Sequence, residues 1–318
     1  MKKGLIITAS VFLAIGIALF FGAYIASGAD FSKINDIKYE TNTYTVDTEF
    51  SGIEINSKET DIVFKASEDG KFCVVCVEKE KVRHNVYVED GVLKIIADDK
   101  REWYDHLSLF NKSLSMTLYL PSLPYATLKI DCGTGDVTVP EIFSFDTAII
   151  TASTGDVDYN ASAIKDVIIK TSTADIKVKG ISAESVELSA STGEIFAENI
   201  RCEKTLSVKV STGGDVTLKD ITCLNLVSEG STGDITLKNV VAAENISIER
   251  STGDVRFDSI DAENITVNVS TGDVSGTLKS EKIFITKTST GKITVPNTKS
   301  GGTCEITTST GDIDIKIA

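Results

Sequence analysis

The sequence predicts an all-β protein, namely a single-stranded parallel β-helix (β-solenoid) of about ten coils. Three observations predict this fold. A corner phrase, represented by Ser251-Thr252-Gly253-Asp254-Val255, recurs from Gly133 to the end of the chain. Its copies start 19 or 20 residues apart, the stride of a solenoid. Between the copies, apolar and polar residues alternate, which is the period of a strand with one buried face.

Each repeat supplies two or three short strands. Apolar pairs such as Val137 and Val139 follow the phrase, and pairs such as Leu128 and Ile130 precede it. Because a unit of this size cannot enclose a core, we expect each strand to pair in parallel with its equivalents in the adjacent coils. We expect a right-handed coil and a rod of roughly 48 Å. The copies start at Gly133, Ser153, Ser172, Ser191, Ser211, Ser231, Ser251, Ser270, Ser289 and Ser309.

The corner phrase has a structural and a metal-binding interpretation. Glycine permits positive φ, and Ser, Thr and Asp side chains bind nearby backbone groups in turns. Alternatively, the carboxylates form an acidic column that binds calcium, but calcium takes six to eight oxygens and one carboxylate per coil falls short. We therefore expect no metal site, no cofactor and no catalytic residue. The column comprises Asp136, Asp156, Asp175, Asp215, Asp234, Asp254, Asp273 and Asp312, with Glu194 and Lys292 as variants.

The N-terminal segment, residues 1–29, is predicted to be a transmembrane anchor or a signal segment. Lys2 and Lys3 precede an apolar run over residues 4–26, which is long enough to cross a bilayer as a helix. The small residues at 27–29 would suit signal peptidase, but the run exceeds the usual 7–15 residues of a signal peptide. We favour a single-pass anchor in the cell membrane, with a cytoplasmic N-terminus and an extracellular C-terminal domain.

Residues 30–120 are predicted to form an irregular β cap before a solenoid domain at residues 121–318. Short β-branched runs dominate the cap, and the pairs Asp69-Gly70 and Asp90-Gly91 are typical of hairpin turns. Residues 57–62 resemble an early, degenerate copy of the corner phrase.

An aromatic loop at residues 98–112 also belongs to the predicted cap. It carries Trp103, Tyr104 and Phe110. Such aromatics either plug the open end of a solenoid, which needs atypical end units, or form a binding lip.

Charge and cysteine content exclude several functions. The formal net charge of −14 provides no basic footprint for nucleic acid. It also disfavours direct docking on polyanions unless a divalent cation intervenes. Cys73 and Cys76 form a C-x-x-C motif, but residues three apart in a strand point to opposite faces. We interpret the six cysteines as inert structural thiols.

The repeated phrase, the Tyr119-Leu120-Pro121 lead-in and the N-terminal anchor resemble the putative-adhesin domain family of unknown function, from Gram-positive bacterial envelopes. The resemblance covers roughly residues 50–318. It implies a surface β-solenoid with a link to adhesion or envelope stress, and it offers no catalytic residues to carry over. Ala174, in place of the corner glycine, departs from the pattern. Arg250 and Lys287 also depart from it, because we expect inward small or apolar residues there.

These observations support three hypotheses of function. The first is a non-catalytic surface protein that contacts wall polymer, another envelope protein or another copy of itself. The second is a regulatory partner of an envelope-stress sensor, acting through its transmembrane helix. The third is a polysaccharide-active enzyme, which is disfavoured because its acids are periodic rather than a unique cluster.

The C-terminus bears on self-association. Residues 312–317 end the chain inside a strand without a cap, and such an edge invites pairing. We expect either a tail-to-tail dimer or a tight self-cap.

Overall fold

The structure, a computed structural model, describes residues 2–26, 38–101 and 114–318. An N-terminal helix, α1, covers Lys2–Ala26. All described strands belong to one sheet, which winds as a parallel β-solenoid of about ten turns, so the predicted fold class is confirmed. The expected boundary at residue 121 stays a prediction. The aromatic loop centred on Trp103, Tyr104 and Phe110 lies outside the described residues.

The strands are short and closely spaced. At the N-terminal end they are β1 (Tyr39–Tyr44), β2 (Gly52–Ser57), β3 (Thr60–Ala66), β4 (Cys73–Lys79), β5 (Val82–Glu89), β6 (Val92–Asp99) and β7 (Leu114–Leu120). The central coils contain β8 (Pro124–Cys132), β9 (Val137–Val139), β10 (Ser144–Ala152), β11 (Val157–Tyr159), β12 (Ser162–Thr171), β13 (Ile176–Lys179), β14 (Ser182–Ala183), β15 (Ser185–Ala190), β16 (Ile195–Cys202), β17 (Thr205–Val210), β18 (Val216–Thr232), β19 (Ile235–Thr252), β20 (Val255–Ile260), β21 (Asn264–Thr271) and β22 (Val274–Leu278). The C-terminal end contains β23 (Lys282–Thr290), β24 (Ile293–Thr294), β25 (Gly302–Thr310) and β26 (Ile313–Ile317).

Helix α1 is apolar along its length. The stretch Ile7–Ala26 has a mean hydropathy of 2.2, and none of it is buried inside the protein. By length and composition it could cross a membrane, and a signal sequence would pass the same test.

Stacked columns of apolar side chains form the core. Parallel pairing places Leu128 beside Ala148 and Ile130 beside Ile150, and each coil repeats this register. The inward positions predicted from the alternation are buried in the central coils, because every coil offers its apolar face to the same interior. In the coil that ends the stack, Ile293 is exposed and Val295 is only half-buried, because no described coil lies beyond them.

Corner glycines allow adjacent coils to approach. A Cβ added at Gly253 would lie 2.2 Å from the carbonyl oxygen of Gly233, and Gly253 has a φ of +133°. A larger residue would push the two corners apart. Ala174 causes no irregularity, because it lacks positive φ and the flanking strands β11, β13 and β16 keep continuous register.

The N-terminal coil is stacked out of chain order. Strand β2 pairs in parallel with β6 on one side and β8 on the other, and β3 pairs with β7 and β9. The coil at residues 52–66 therefore lies between two coils that follow it in sequence. Its corner aligns with the next, since the amide of Ile62 donates to the carbonyl oxygen of Asp136 at 2.7 Å. Residues 57–62 are thus a true copy of the corner phrase.

An antiparallel layer covers this end of the rod. Strand β5 pairs with β6, β4 pairs with β7, and β1 pairs with β4. Asp90-Gly91 forms the expected hairpin turn between β5 and β6, with positive φ at both residues. Asp69-Gly70 forms no hairpin, because β7 lies between β3 and β4.

The C-terminal coil is also stacked out of chain order. Strand β25 lies between β21 and β23, and β26 lies between β22 and β24. The last strand is therefore paired on both sides within the chain, so the expectation of an uncapped edge at residues 312–317 is wrong. The coil that ends the stack comprises residues 282–294, and we call it the terminal coil.

Candidate functional site

The corner aspartates form a ladder of hydrogen bonds along the rod. In most coils, the backbone amide of the acidic residue donates to Oδ1 of the aspartate in the neighbouring coil, and the step from Asp215 to Glu194 is the break among the described residues. This arrangement satisfies a backbone donor at each bend. The donor–acceptor pairs are Asp156 to Asp136, Asp175 to Asp156, Glu194 to Asp175, Asp234 to Asp215, Asp254 to Asp234 and Asp273 to Asp254, at 2.7–2.9 Å.

The ladder follows the order of coils in space rather than in sequence. The Asp136 amide donates to Asp61 at 3.1 Å, 75 residues earlier, and the Asp312 amide donates to Asp273 at 2.8 Å. Lys292 ends the ladder, and its backbone amide donates a hydrogen bond to Asp312 Oδ1 at 2.7 Å. An acidic side chain at Lys292 would have no further coil to accept from, which accounts for the lysine there.

Backbone amides and Arg256 already bind the carboxylate oxygens that a metal ion in the ladder would need. One oxygen of most of the aspartates already accepts a backbone hydrogen bond, and Arg256 pairs with Asp234 and Asp254 at 2.5 and 2.7 Å. Too few free oxygens remain per coil for calcium. The expectation that the column holds no metal stays a prediction.

A second cluster is buried under the antiparallel layer. Glu78 accepts hydrogen bonds from Asn42 Nδ2 at 2.6 Å, from the Tyr44 hydroxyl at 2.8 Å and from the His84 amide at 2.7 Å. Burial alone would raise the pKa of Glu78, but bonds from His84, Asn42 and Tyr44 outweigh it and hold that pKa below its ordinary value.

The order of polar groups in this cluster is that of a nucleophile, a base and an acid. Ser57 Oγ lies 3.3 Å from His84 Nε2, and His84 Nδ1 lies 2.7 Å from Glu78 Oε1. All three residues are buried, with Ser57 2%, Glu78 1% and His84 3% exposed, so Ser57 Oγ is not presented at the surface of the described chain. Periodicity could not reveal the cluster, because His84 and Glu78 lie outside the repeats and only stacking brings Ser57 to them.

Cys76 joins Glu78 and His84 to form a possible set of metal ligands. Their ligand atoms all lie within 4.8 Å of one another, and zinc accepts such donors. Both carboxylate oxygens of Glu78 are already satisfied, so the cluster is stable as a hydrogen-bonded network. Burial also raises the pKa of the Cys76 thiol to about 12, which agrees with an inert thiol.

An ion-pair group lies beside this network. The Arg101 guanidinium contacts Glu59 Oε1 at 2.8 Å and Asp99 Oδ2 at 2.7 Å, while Lys79 Nζ lies 3.1 Å from Glu59. Its hydrogen bonds to Arg101 lower the pKa of Asp99 to about 2. The group ties the bend between β2 and β3 to β4 and to the end of β6.

One cation is buried in the core itself. Arg250 is 4% exposed and inward-facing, in the column that contains Ala190, Val210 and Gly230. Its Nη2 donates to Ser228 Oγ at 2.9 Å and its Nη1 to the Glu249 carbonyl at 3.2 Å. Lys287, by contrast, is exposed: Phe284, Thr286 and Thr288 take the inward column positions instead.

Comparison of the sequence with known protein families identifies the family of this chain. The Toastrack DUF4097 family matches residues 50–213 and again residues 201–318, which together span most of the chain. The chain belongs to this family. No curated protein matches the sequence significantly.

Two solved structures, both described as putative adhesins, are similar to this Toastrack protein. A putative adhesin from Parabacteroides distasonis is 15% identical, with a TM-score of 0.51, and the match covers 89% of this chain and 98% of the other. A putative adhesin from Bacteroides fragilis is 14% identical, with a TM-score of 0.41 and coverage of 88% and 97%. At such identities the first match supports the fold alone.

Proposed function

We propose that this Toastrack protein is a non-catalytic, membrane-anchored surface protein whose exported solenoid is an adhesin-like interaction scaffold. The observation that carries the proposal is the continuous rod of stacked coils, attached through β1 to an apolar segment at one end. Repetition produces an extended surface suited to contact with other molecules. The burial of Ser57 and His84 favours a structural role for the cluster over a catalytic one.

The proposal includes an orientation. Helix α1 crosses the cell membrane with Lys2 and Lys3 in the cytoplasm, because basic residues favour that side. The rod then extends outside the cell. Its targets are wall polymer, an envelope protein or another copy of the chain.

A regulatory role at the envelope is the second candidate. The observation that favours it is the apolar helix α1, whose length and composition suit a membrane span. In that case the rod would sense the exterior and α1 would contact the sensor within the membrane.

One experiment separates the two candidates. The gene is deleted, and both cell attachment and envelope-stress reporter output are measured, with complementation by the full chain or by α1 alone. The scaffold proposal expects attachment to fall and to return only with the full chain. Unchanged attachment with altered reporter output would favour the regulatory role, and a pull-down with and without calcium would identify the target.

A further inference from the structure

We infer that the free edge of the terminal coil binds an acidic, extended polypeptide segment by strand addition. The inference deepens the proposed function, since it assigns the contact surface and the chemistry of the partner. Three observations on residues 282–300 carry it: an unpaired sheet edge, exposed apolar side chains and a local excess of lysine.

The edge is open on its outer side. Strand β23 pairs with β25 through eight residue pairs and β24 with β26 through two, and no other strand of the described chain pairs with either. An unpaired row of amide and carbonyl groups is a template for an added strand. The opposite end of the rod differs, because the antiparallel strands β4 and β5 cover its outermost coil.

Apolar side chains are left exposed along this edge. Ile283, Ile285 and Ile293 are 43%, 55% and 41% exposed. Phe284 stacks on the fully buried Cys304 yet remains half-buried itself, since no coil lies beyond it. An added strand would cover Phe284 on the inward side and lie beside Ile283 and Ile285 on the outward side.

The terminal coil and the segment that follows it, residues 295–300, differ in charge from the rest of the protein. Residues 282–300 contain four lysines and no acidic residue, in a chain of net charge −14. Lys282 is neutralised by Asp261 at 2.8 Å, whereas Lys287, Lys292 and Lys299 make no ion pair with the described residues. Lys287 on β23, Lys292 in the bend before β24 and Lys299 in the following segment favour a partner with carboxylates.

The same lysines select against a second copy of the chain. Edge-to-edge pairing of two terminal coils would bring Lys287 and Lys292 of one molecule close to those of the other, which repel. Lysines on an edge strand are a known brake on self-pairing. An acidic strand meets no such penalty, so the edge discriminates between partners by charge.

The test uses the full-length protein in detergent micelles and labelled peptides of about ten residues, long enough to lie along β23. One peptide alternates Val with Glu, a second alternates Val with Lys, and a third is the Glu peptide with N-methylated alternate amides. Fluorescence anisotropy measures binding, and hydrogen exchange locates it. We expect the Glu peptide to bind at least about tenfold more tightly than the Lys peptide and to protect amides of β23.

Variants separate strand addition from general attraction. Lys287→Glu with Lys292→Glu should reverse the preference between the Glu and Lys peptides. The matched control, Lys170→Glu with Lys177→Glu, makes the same charge change in the middle of the rod and should leave the preference intact. The N-methylated peptide should lose binding, since it cannot complete the backbone ladder.

Equal binding of the Glu and Lys peptides would overturn the inference, as would undiminished binding of the N-methylated peptide or a reversal caused by the control variant. These outcomes are independent of cell attachment. Peptide binding with normal attachment in deleted cells would contradict the proposed function alone. Loss of attachment without peptide binding would contradict this inference alone.

Discussion

The guanidinium of Arg250 lies in the space that a side chain at Gly230 would need. The two residues are partners in adjacent coils, and a Cβ added at Gly230 would lie 2.3 Å from Arg250 Nη1. Burial without a carboxylate partner lowers the pKa of Arg250 to about 10. A missing side chain in one coil therefore admits a buried cation from the next.

The substitution Gly230→Ala tests this relationship. In the natural background it should destabilise the protein by about 1–3 kcal/mol, because the added methyl displaces the guanidinium. In an Arg250→Val background the same substitution should cost little, since the space is then empty. Urea unfolding of the four proteins measures the coupling. An equal cost in both backgrounds would contradict the relationship.

The aspartate ladder predicts a graded series at Asp156. Asp156→Ala should lower the free energy of unfolding by about 1 kcal/mol, because it leaves the Asp175 amide, now 2.9 Å from Oδ1, without its acceptor. Asp156→Asn should cost less, since its amide oxygen can still accept. Glu194→Ala is the matched control, as no hydrogen bond joins the Asp215 amide to the Glu194 side chain in the described residues. Chemical unfolding measures the stability of the three variants. If Glu194→Ala lost as much stability as Asp156→Ala, the ladder hydrogen bond would not be the cause of the loss at Asp156.

Interleaving at the C-terminus predicts different effects of two deletions. Ending the chain after Ser300 removes β25 and β26, so β23 and β24 lose their only described partners and their amides should exchange rapidly. Deleting residues 281–300 removes the terminal coil instead, and β25 should remain protected on β21. Hydrogen exchange with mass spectrometry distinguishes the two. Protection of residues 282–294 in the first variant would contradict the stacking order.

Acid stability should depend on Arg101. The pKa of Asp99 is about 2 in the folded protein, below the usual value of about 3.9 for an unfolded chain. Because the pKa of Asp99 is lower in the folded protein, the ionised carboxylate stabilises the fold above about pH 4. This stabilisation is lost as the pH falls toward 2. Arg101→Gln should lower the free energy of unfolding by about 1 kcal/mol at neutral pH, allowing for solvent screening. It should also make that free energy less dependent on pH below about pH 4.

Urea unfolding from pH 5 to pH 2 measures the Arg101 effect. Asp98→Asn serves as the control, because Asp98 forms an exposed pair with Lys100 at 2.9 Å and should contribute little. Identical pH slopes in the natural protein and in Arg101→Gln would rule out the Asp99 contact as the cause.

The alternation of apolar and polar residues predicted the solenoid, because it can be read within a single repeat. Positions such as Val137 and Leu128 alternate with polar neighbours, and every alternating face must be buried against the next coil. The aspartates of the phrase were expected to bind backbone groups in turns, and they do so across coils. The same reasoning misplaced Lys287, since a shift of one residue moves a side chain to the other face.

The amino-acid sequence alone determined the coil length, the apolar columns and the polar corners, because each depends on residues within about 20 positions of one another. Only the tertiary structure decided the order of the end coils, the enclosure of His84 beside Ser57 and the accommodation of Arg250 by Gly230. Parallel pairing accepts any coil of matching register as a neighbour, so the stacking order at the two ends depends on how the connecting segments pack. That order leaves residues 282–294, rather than the last strand, at the end of the rod.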